Sequence, residues 1–424
     1  MARTARSEGG VRYRWVVLIV AFFVHATSIA LIWQAVSPLK QAMATDLGVP
    51  WQNVVVVFAA IAFGLVLVQI PGGTLGDKYP IRYVVGLGAV LTGVATAIRF
   101  TVPTLTGQIA ISLLATLGMG VVNPNLIKVI TEWFPTHQLG LAQGVLMSGN
   151  TLGIAFALSL SGGIVLNVVG NWQSVFLLYG GLTAAFGLVW LLFVRSPREG
   201  ERPTNVETGM PFTSSDQVPF RESLPAVLRS PSTPWALALI GLAYWSALGS
   251  LAVLPEYAGA HTFSVPEYLI GASPLASTAG ALLLPPLSDR YTRRLGLYLG
   301  ILGLTFGIIV VGFAPAISVF LLGLVVSGFF GGGLAAMFYI LPGELADIDP
   351  NHVGTMSGFL LTLGQLGSVV GSILGAEAMA AYGIRASVLI VAGPCLLGLL
   401  LVTRLHLDGH GETEHPDLAP ATDD

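Results

Sequence analysis

Charged side chains cut this chain into long stretches that carry none of them. Uncharged, largely apolar runs cover 15–39, 47–76, 83–98, 100–127, 133–194, 230–255, 268–288, 295–343, 350–376 and 386–403. A helix crosses the hydrocarbon core of a bilayer with about 20 apolar residues, in a range of about 17–25. Two runs are long enough for two crossings each. A polar turn at Asn167–Trp172 interrupts 133–194, and Ala314-Pro315 interrupts 295–343. Twelve transmembrane helices are therefore predicted. The shortest run, 83–98, reaches full length because Arg82 and Arg99 can snorkel from its ends.

Threading the chain through twelve crossings sorts its basic residues. With the N-terminus inside, 16 of the 19 lysines and arginines fall in inner segments, and Lys40, Arg99 and Arg385 fall in outer ones. This positive-inside asymmetry places both termini in the cytoplasm of a cell-membrane protein. The longest polar stretch between crossings, 196–233, is rich in Pro, Ser, Thr and charge. It reads as a linker between six-helix bundles at 15–195 and 234–405. A tail at 1–14 precedes them and an acidic tail at 406–424 follows. The first apolar run shows no small-residue cleavage pattern and reads as a retained helix.

Composition serves to close other classes. Of 424 residues, 54% are hydrophobic and 10% charged, against about 25% charged in soluble domains. In water such a chain would expose large apolar patches, so the lipid bilayer is its partner. A formal net charge of −3 offers no basic surface for nucleic acid. The single Cys395 excludes an intrachain disulfide framework and a multi-cysteine metal site. There is no HExxH, no pair of intramembrane aspartates and no Gly-x4-Gly-Lys-Ser/Thr phosphate loop. Membrane enzymes and ATP-driven pumps are set aside, no cofactor is implied, and a monomer is expected.

The two halves repeat at a nearly constant offset. Gly73-Thr-Leu75-Gly-Asp77-Lys78-Tyr-Pro80-Ile-Arg82 follows the second crossing, and Pro285-Pro-Leu287-Ser-Asp289-Arg290-Tyr-Thr292-Arg293-Arg294 follows the eighth. Asp77 and Asp289 are 212 residues apart, as are Glu132 and Glu344. Gly140, Gly144 and Gly153 match Gly354, Gly358 and Gly367 at an offset of 214. Duplicated transporter halves leave this kind of internal symmetry. Both loops resemble the signature of the major facilitator superfamily, Gly-x-Leu-x-Asp-Arg/Lys-x-Gly-Arg/Lys-Arg/Lys. The first copy departs at Pro80 and Ile81, the second at Pro285 and Thr292. The resemblance covers about residues 12–406. It implies an all-α integral membrane protein with two pseudo-symmetric six-helix bundles around a central cavity. It implies secondary transport of a small molecule by rocker-switch alternating access. It also implies that Asp77, Lys78, Arg82 and Glu132 form an ion-pair network at the cytoplasmic face, with Asp289, Arg290, Arg293, Arg294 and Glu344 as its counterpart. Such networks hold the bundles together in the outward-open state.

The resemblance further places the cavity among crossings 1, 4, 5, 7, 8, 10 and 11, where polar residues at depth are the ones to read. His25 lies about ten residues into the first helix, near mid-bilayer at about 1.5 Å per residue. It is the one ionisable group placed there, so any proton coupling would centre on it. Gln34 falls about half a turn out of phase with it. His25 is therefore either a cavity group or an interhelical hydrogen-bonding residue. Gln108, Ser112, Thr116 and Asn123 form one stripe on the fourth helix. Lys128 falls off that stripe, one turn before Glu132, where an ion pair is the expected role. Gln143 and Asn150 share a face of the fifth helix, and Gln365 lies on a polar face of the eleventh. Tyr244 and Trp245 in the seventh helix, with Phe338 and Tyr339 in the tenth, either stack on a ligand or fill helix contacts.

A finer resemblance rests on Asn123-Pro124, Trp133-Phe134-Pro135 and His137-Gln138, with Ala97-Ile98-Arg99. These segments look like the haem, choline and ethanolamine transporters named for a feline leukaemia virus receptor, in which Trp33-Gln34 would correspond to residues that hold a cation. The Trp-Phe-Pro element is shared with nitrate and organic-anion carriers, so a small organic cation, an anion and a polar metabolite all stand as substrates. The Gly-Pro motif of drug antiporters is missing from the fifth helix, where Leu158-Ser159 stands at the nearest alignment. That counts against drug efflux. The topology has a direct test. Single cysteines introduced in the tails and in 196–233 are expected to resist impermeant thiol reagents in intact cells. Ready labelling from outside would reverse the assignment.

Overall fold

The computed structural model describes residues 2–197, 220–230, 232–346, 348 and 352–407. A backbone in lipid has no water to bond, so it folds its N–H and C=O groups into helices. Among the described residues twelve helices are long and apolar enough to cross a membrane. In order they are Tyr13–Leu47, Trp51–Gly76, Ile81–Thr101, Leu105–Trp133, Gln138–Val169 and Trp172–Phe193, then Pro234–Gly259, Glu267–Ser288, Arg293–Phe313, Ile317–Ile340, Thr355–Tyr382 and Ile384–Val402. They are called spans 1 to 12. Residues 198–219 and 408–424, which carry most of the linker and the acidic tail, lie outside the described residues. A short helix, Phe220–Arg229, leads into span 7. Its Ser223 hydroxyl lies 3.1 Å from His352 Nδ1 near the start of span 11.

The helices overrun the uncharged runs, and this corrects two placements. Lys40 lies inside span 1 and Arg99 inside span 3, both buried, rather than in outer loops. Each cation finds its partners in the protein, so neither needs to reach water. Span 1 also contains a π-helical segment, Ala26–Leu31, beside the place where span 5 presses on it.

The predicted repeat is visible in the packing. A first side-chain carbon on Gly153 of span 5 would lie 2.5 Å from the Ala26 carbonyl oxygen of span 1. One on Gly367 of span 11 would lie 2.2 Å from the Leu242 carbonyl oxygen of span 7. Small residues allow this approach of backbones where no hydrophobic force drives helices together. A second matched pair, Gly144 and Gly358, has no heavy atom within 4 Å of that position. The halves are clamped at the end remote from the termini. There the Ser37 hydroxyl donates to the Leu251 carbonyl at 2.7 Å, the Ser159 hydroxyl donates to the Tyr268 carbonyl at 3.1 Å, and the Gly162 N–H donates to the Glu267 carboxylate at 2.8 Å.

Gly153→Ala or Gly367→Ala is expected to destabilise the purified protein by about 1–3 kcal/mol through overpacking. Gly144→Ala and Gly358→Ala are expected to leave the melting temperature unchanged. Thermal unfolding in detergent checks this, and equal effects at all four positions would remove the packing argument.

Candidate functional site

In the first half, spans 1, 4 and 5 meet around His25. The ring is buried with Nδ1 3.0 Å from the Leu146 carbonyl of span 5, and the Asn123 side chain of span 4 also reaches it. Gln143 of span 5 donates to the Ile127 carbonyl of span 4 at 3.2 Å. His25 makes an interhelical hydrogen bond beside Asn123, and Gln143 separately ties span 5 to span 4.

In the second half, the repeat counterparts of those helices, spans 7, 10 and 11, meet around aromatic rings. Tyr244 and Trp245 lie 4.8 Å apart, and Phe338 lies 5.1 Å from Tyr244 and 5.3 Å from Trp245. The Tyr244 hydroxyl donates to the Gly331 carbonyl at 2.9 Å. Gly364 of span 11 leaves room for the Trp245 indole. Tyr339, the next residue on span 10, is 58% exposed. Trp33 holds the register of Trp245 in span 1, 212 residues earlier. It packs on Phe58 with ring centres 5.4 Å apart and donates to the Phe58 carbonyl at 3.2 Å. Gln34 and Gln365 each keep an enclosed side-chain oxygen with no hydrogen-bond partner among the described residues. Enclosed acceptors ordinarily find a donor, so both can receive one from a ligand. Asn150 is half-buried on span 5.

The rest of the span 4 stripe faces elsewhere. The Arg99 guanidinium donates to Gln108 Oε1 at 3.3 Å and to the Ser112 hydroxyl at 2.8 Å. Gln108 returns bonds to the Arg99 and Val102 carbonyls at 3.0 and 2.6 Å, and the Phe176 ring lies 4.8 Å from the guanidinium carbon. Thr116 is buried against Gly64 of span 2. Periodicity put Gln108, Ser112 and Thr116 on one face. That face meets spans 2, 3 and 6, and does not join the His25 junction.

The duplicated loops use their charges in two ways. Arg293 forks onto Glu344, with Nε at 2.7 Å and Nη2 at 2.6 Å, and donates to the Ser288 hydroxyl at 2.9 Å. Bidentate pairs of this kind are strong and directional. Ile81 stands at the matching position of the first half and cannot make the fork. In this arrangement Arg82 and Arg294 bond to carbonyls. Arg82 donates to the Leu191 carbonyl at 2.6 Å and Arg294 to the Leu405 carbonyl at 2.8 Å. Both satisfy carbonyls near the end of span 6 or just beyond span 12, where a cation is favoured. Lys128 donates to the Gly73 carbonyl at 2.7 Å. Lys78 and Arg290 are exposed, and Glu132 is half-buried. The side chains of Asp77 and Asp289 lie outside the described residues.

One charge site was missed from sequence. Lys40 pairs with Glu256 of span 7 across the two halves. The available signal was a pair of opposite charges near the same ends of two repeat-related helices.

Two six-helix halves related by a repeat, with polar and aromatic junctions in matching places, define a secondary transporter. The chain matches the Major Facilitator Superfamily model over residues 18–271 and 252–422, and it belongs to that family. The probable sulfoacetate transporter SauU of Cupriavidus necator is 26% identical over 75% of this chain and 76% of that protein. The D-galactonate transporter of Escherichia coli is 25% identical over 81% of this chain and 84% of its own length. The solved structure of the nucleoside transporter NupG shares the fold, with a TM-score of 0.71 over 92% of this chain and 98% of that one at 13% identity. The protein is a membrane transporter and not an enzyme.

Glu344→Gln is expected to cost about 1.5–3 kcal/mol by breaking the charge-assisted fork. Lys78→Ala, on an exposed side chain, should stay within about 0.5 kcal/mol of the parent. Thermal unfolding of both variants reads the difference, and an unchanged Glu344→Gln protein would discard the fork as a structural tie.

Proposed function

We propose that this protein carries a small organic acid anion across the cell membrane by rocker-switch alternating access, with both termini in the cytoplasm. The observation that carries this reading is the agreement of two relatives, named for sulfoacetate and D-galactonate, each matched over three quarters or more of both chains. Both compounds are small carboxylates dressed with further oxygens. The spare acceptors of Gln34 and Gln365 suit hydroxyl donors on such a ligand. Asp77 and Asp289 serve as ties that change during the cycle, while the Arg293–Glu344 fork braces the second half. The orientation rests on the 16 basic residues of the inner segments.

An organic cation is the second reading, motivated by the aromatic residues. It is disfavoured by their engagement. Trp33 packs on Phe58 and Trp245 on Phe338, so each already spends one ring contact within its own half.

Counterflow in proteoliposomes decides between them. Labelled D-galactonate is expected to exchange saturably and to be inhibited by sulfoacetate and other short carboxylates, and not by choline. Inhibition by choline alone would reverse the order of the two readings.

A further inference from the structure

The end of the bundle remote from the termini is closed by a buried cation and a carboxylate from opposite halves. Lys40 is 1% exposed, and its three N–H donors are all engaged. They meet the Ser37 carbonyl at 3.0 Å, the Ala252 carbonyl at 2.6 Å and the Glu256 carboxylate. Ala252 lies 212 residues after Lys40, the offset that relates the two loop aspartates. A residue that touches its own repeat counterpart sits close to the pseudo-twofold axis between the halves. The surroundings are ordered about the pair. The Gln41 amide donates to the other Glu256 oxygen at 3.2 Å, and the Trp51 ring centre lies 5.9 Å from the ammonium. Among the described residues, the Glu256 oxygen facing Lys40 has no hydrogen-bond partner besides this ion pair.

Opening this end removes the Ala252 carbonyl and Glu256 together, because both belong to the second half. Lys40 then keeps one acceptor, on its own helix. Opening admits water to the ammonium, and an anion arriving where Glu256 stood would restore the charge-assisted bonds that water makes less well. We propose that Lys40 is an anion-binding residue on the path from this end, where the carboxylate or sulfonate of an incoming substrate replaces Glu256. A ligand shifts a conformational equilibrium only by its differential affinity for the two states, and Lys40 supplies that difference. This rests on the organic-anion reading above. Arg99, also fully buried, is no rival, because its guanidinium is committed to Gln108 and Ser112 within one half.

The test uses the full chain in nanodiscs with a cysteine introduced at Ser250, which is 8% exposed at the closed end. The parent carrying only the buried Cys395 is the blank. Labelling by a hydrophilic maleimide is expected to be slow in chloride. It should rise severalfold as acetate, gluconate, sulfoacetate or galactonate replaces chloride at constant ionic strength. In Lys40→Gln the rate should be high and indifferent to the anion. In Glu256→Gln, which keeps Lys40 and removes its competitor, the midpoint should move to roughly tenfold lower anion concentration, the scale of one charge-assisted hydrogen bond. A flat wild-type response, a retained response in Lys40→Gln, or an unmoved midpoint in Glu256→Gln would each overturn the proposal. Counterflow in the same preparations separates the two readings. An anion response without counterflow keeps the Lys40 site and removes the organic-anion cargo. Counterflow with unchanged KM in Lys40→Gln removes the site and keeps the cargo.

Discussion

Polar groups within the hydrocarbon layer must be satisfied by the protein itself, and the rest of this structure follows from that constraint. It makes the spans helical. It also explains where the arginines go. Arg82 turns to the Leu191 carbonyl near the end of span 6, and Arg294 to the Leu405 carbonyl just beyond span 12. Arg99 collects Gln108, Ser112 and an aromatic face around a guanidinium that cannot reach water. From sequence these arginines read as gate or loop charges. Their geometry shows that they are committed to holding helices together.

The same constraint lets the two halves diverge while keeping one plan. Spans 1, 4 and 5 join through a histidine, an asparagine and a glutamine. Spans 7, 10 and 11 join through tyrosine, tryptophan and phenylalanine. The glycine contacts that set the helix distances are retained in both, at Gly153 and at Gly367. What is preserved is backbone approach, and what varies is side-chain chemistry. Unlike side-chain junctions on matched helix frames suit a carrier that must recognise a ligand with no symmetry of its own.

Alternating access needs ties that are strong enough to hold one state and weak enough to break. The ties between halves described at the closed end suit this. Each is a small set of hydrogen bonds plus one ion pair, placed where helices of opposite halves cross. The Arg293–Glu344 fork is different, because both partners belong to the second half. It braces that half as a rigid body, which rocking requires.

The order of residues alone determined the class of this protein. Twelve spans, two repeated loops and the glycine matches all arise from local pattern, because burial in lipid leaves a 20-residue apolar run only one regular structure. One matched glycine pair, Gly153 and Gly367, marks a tight helix contact in each half. The tertiary structure decided which face met which neighbour. Gln108, Ser112 and Thr116 formed a legible stripe, yet nothing in their spacing told that Arg99 and Gly64 lay opposite. Lys40 read as a loop charge because a lysine in an apolar helix is costly until its partner is known. That partner, Glu256, lies 216 residues away, and only the docking of the two halves brings it within reach.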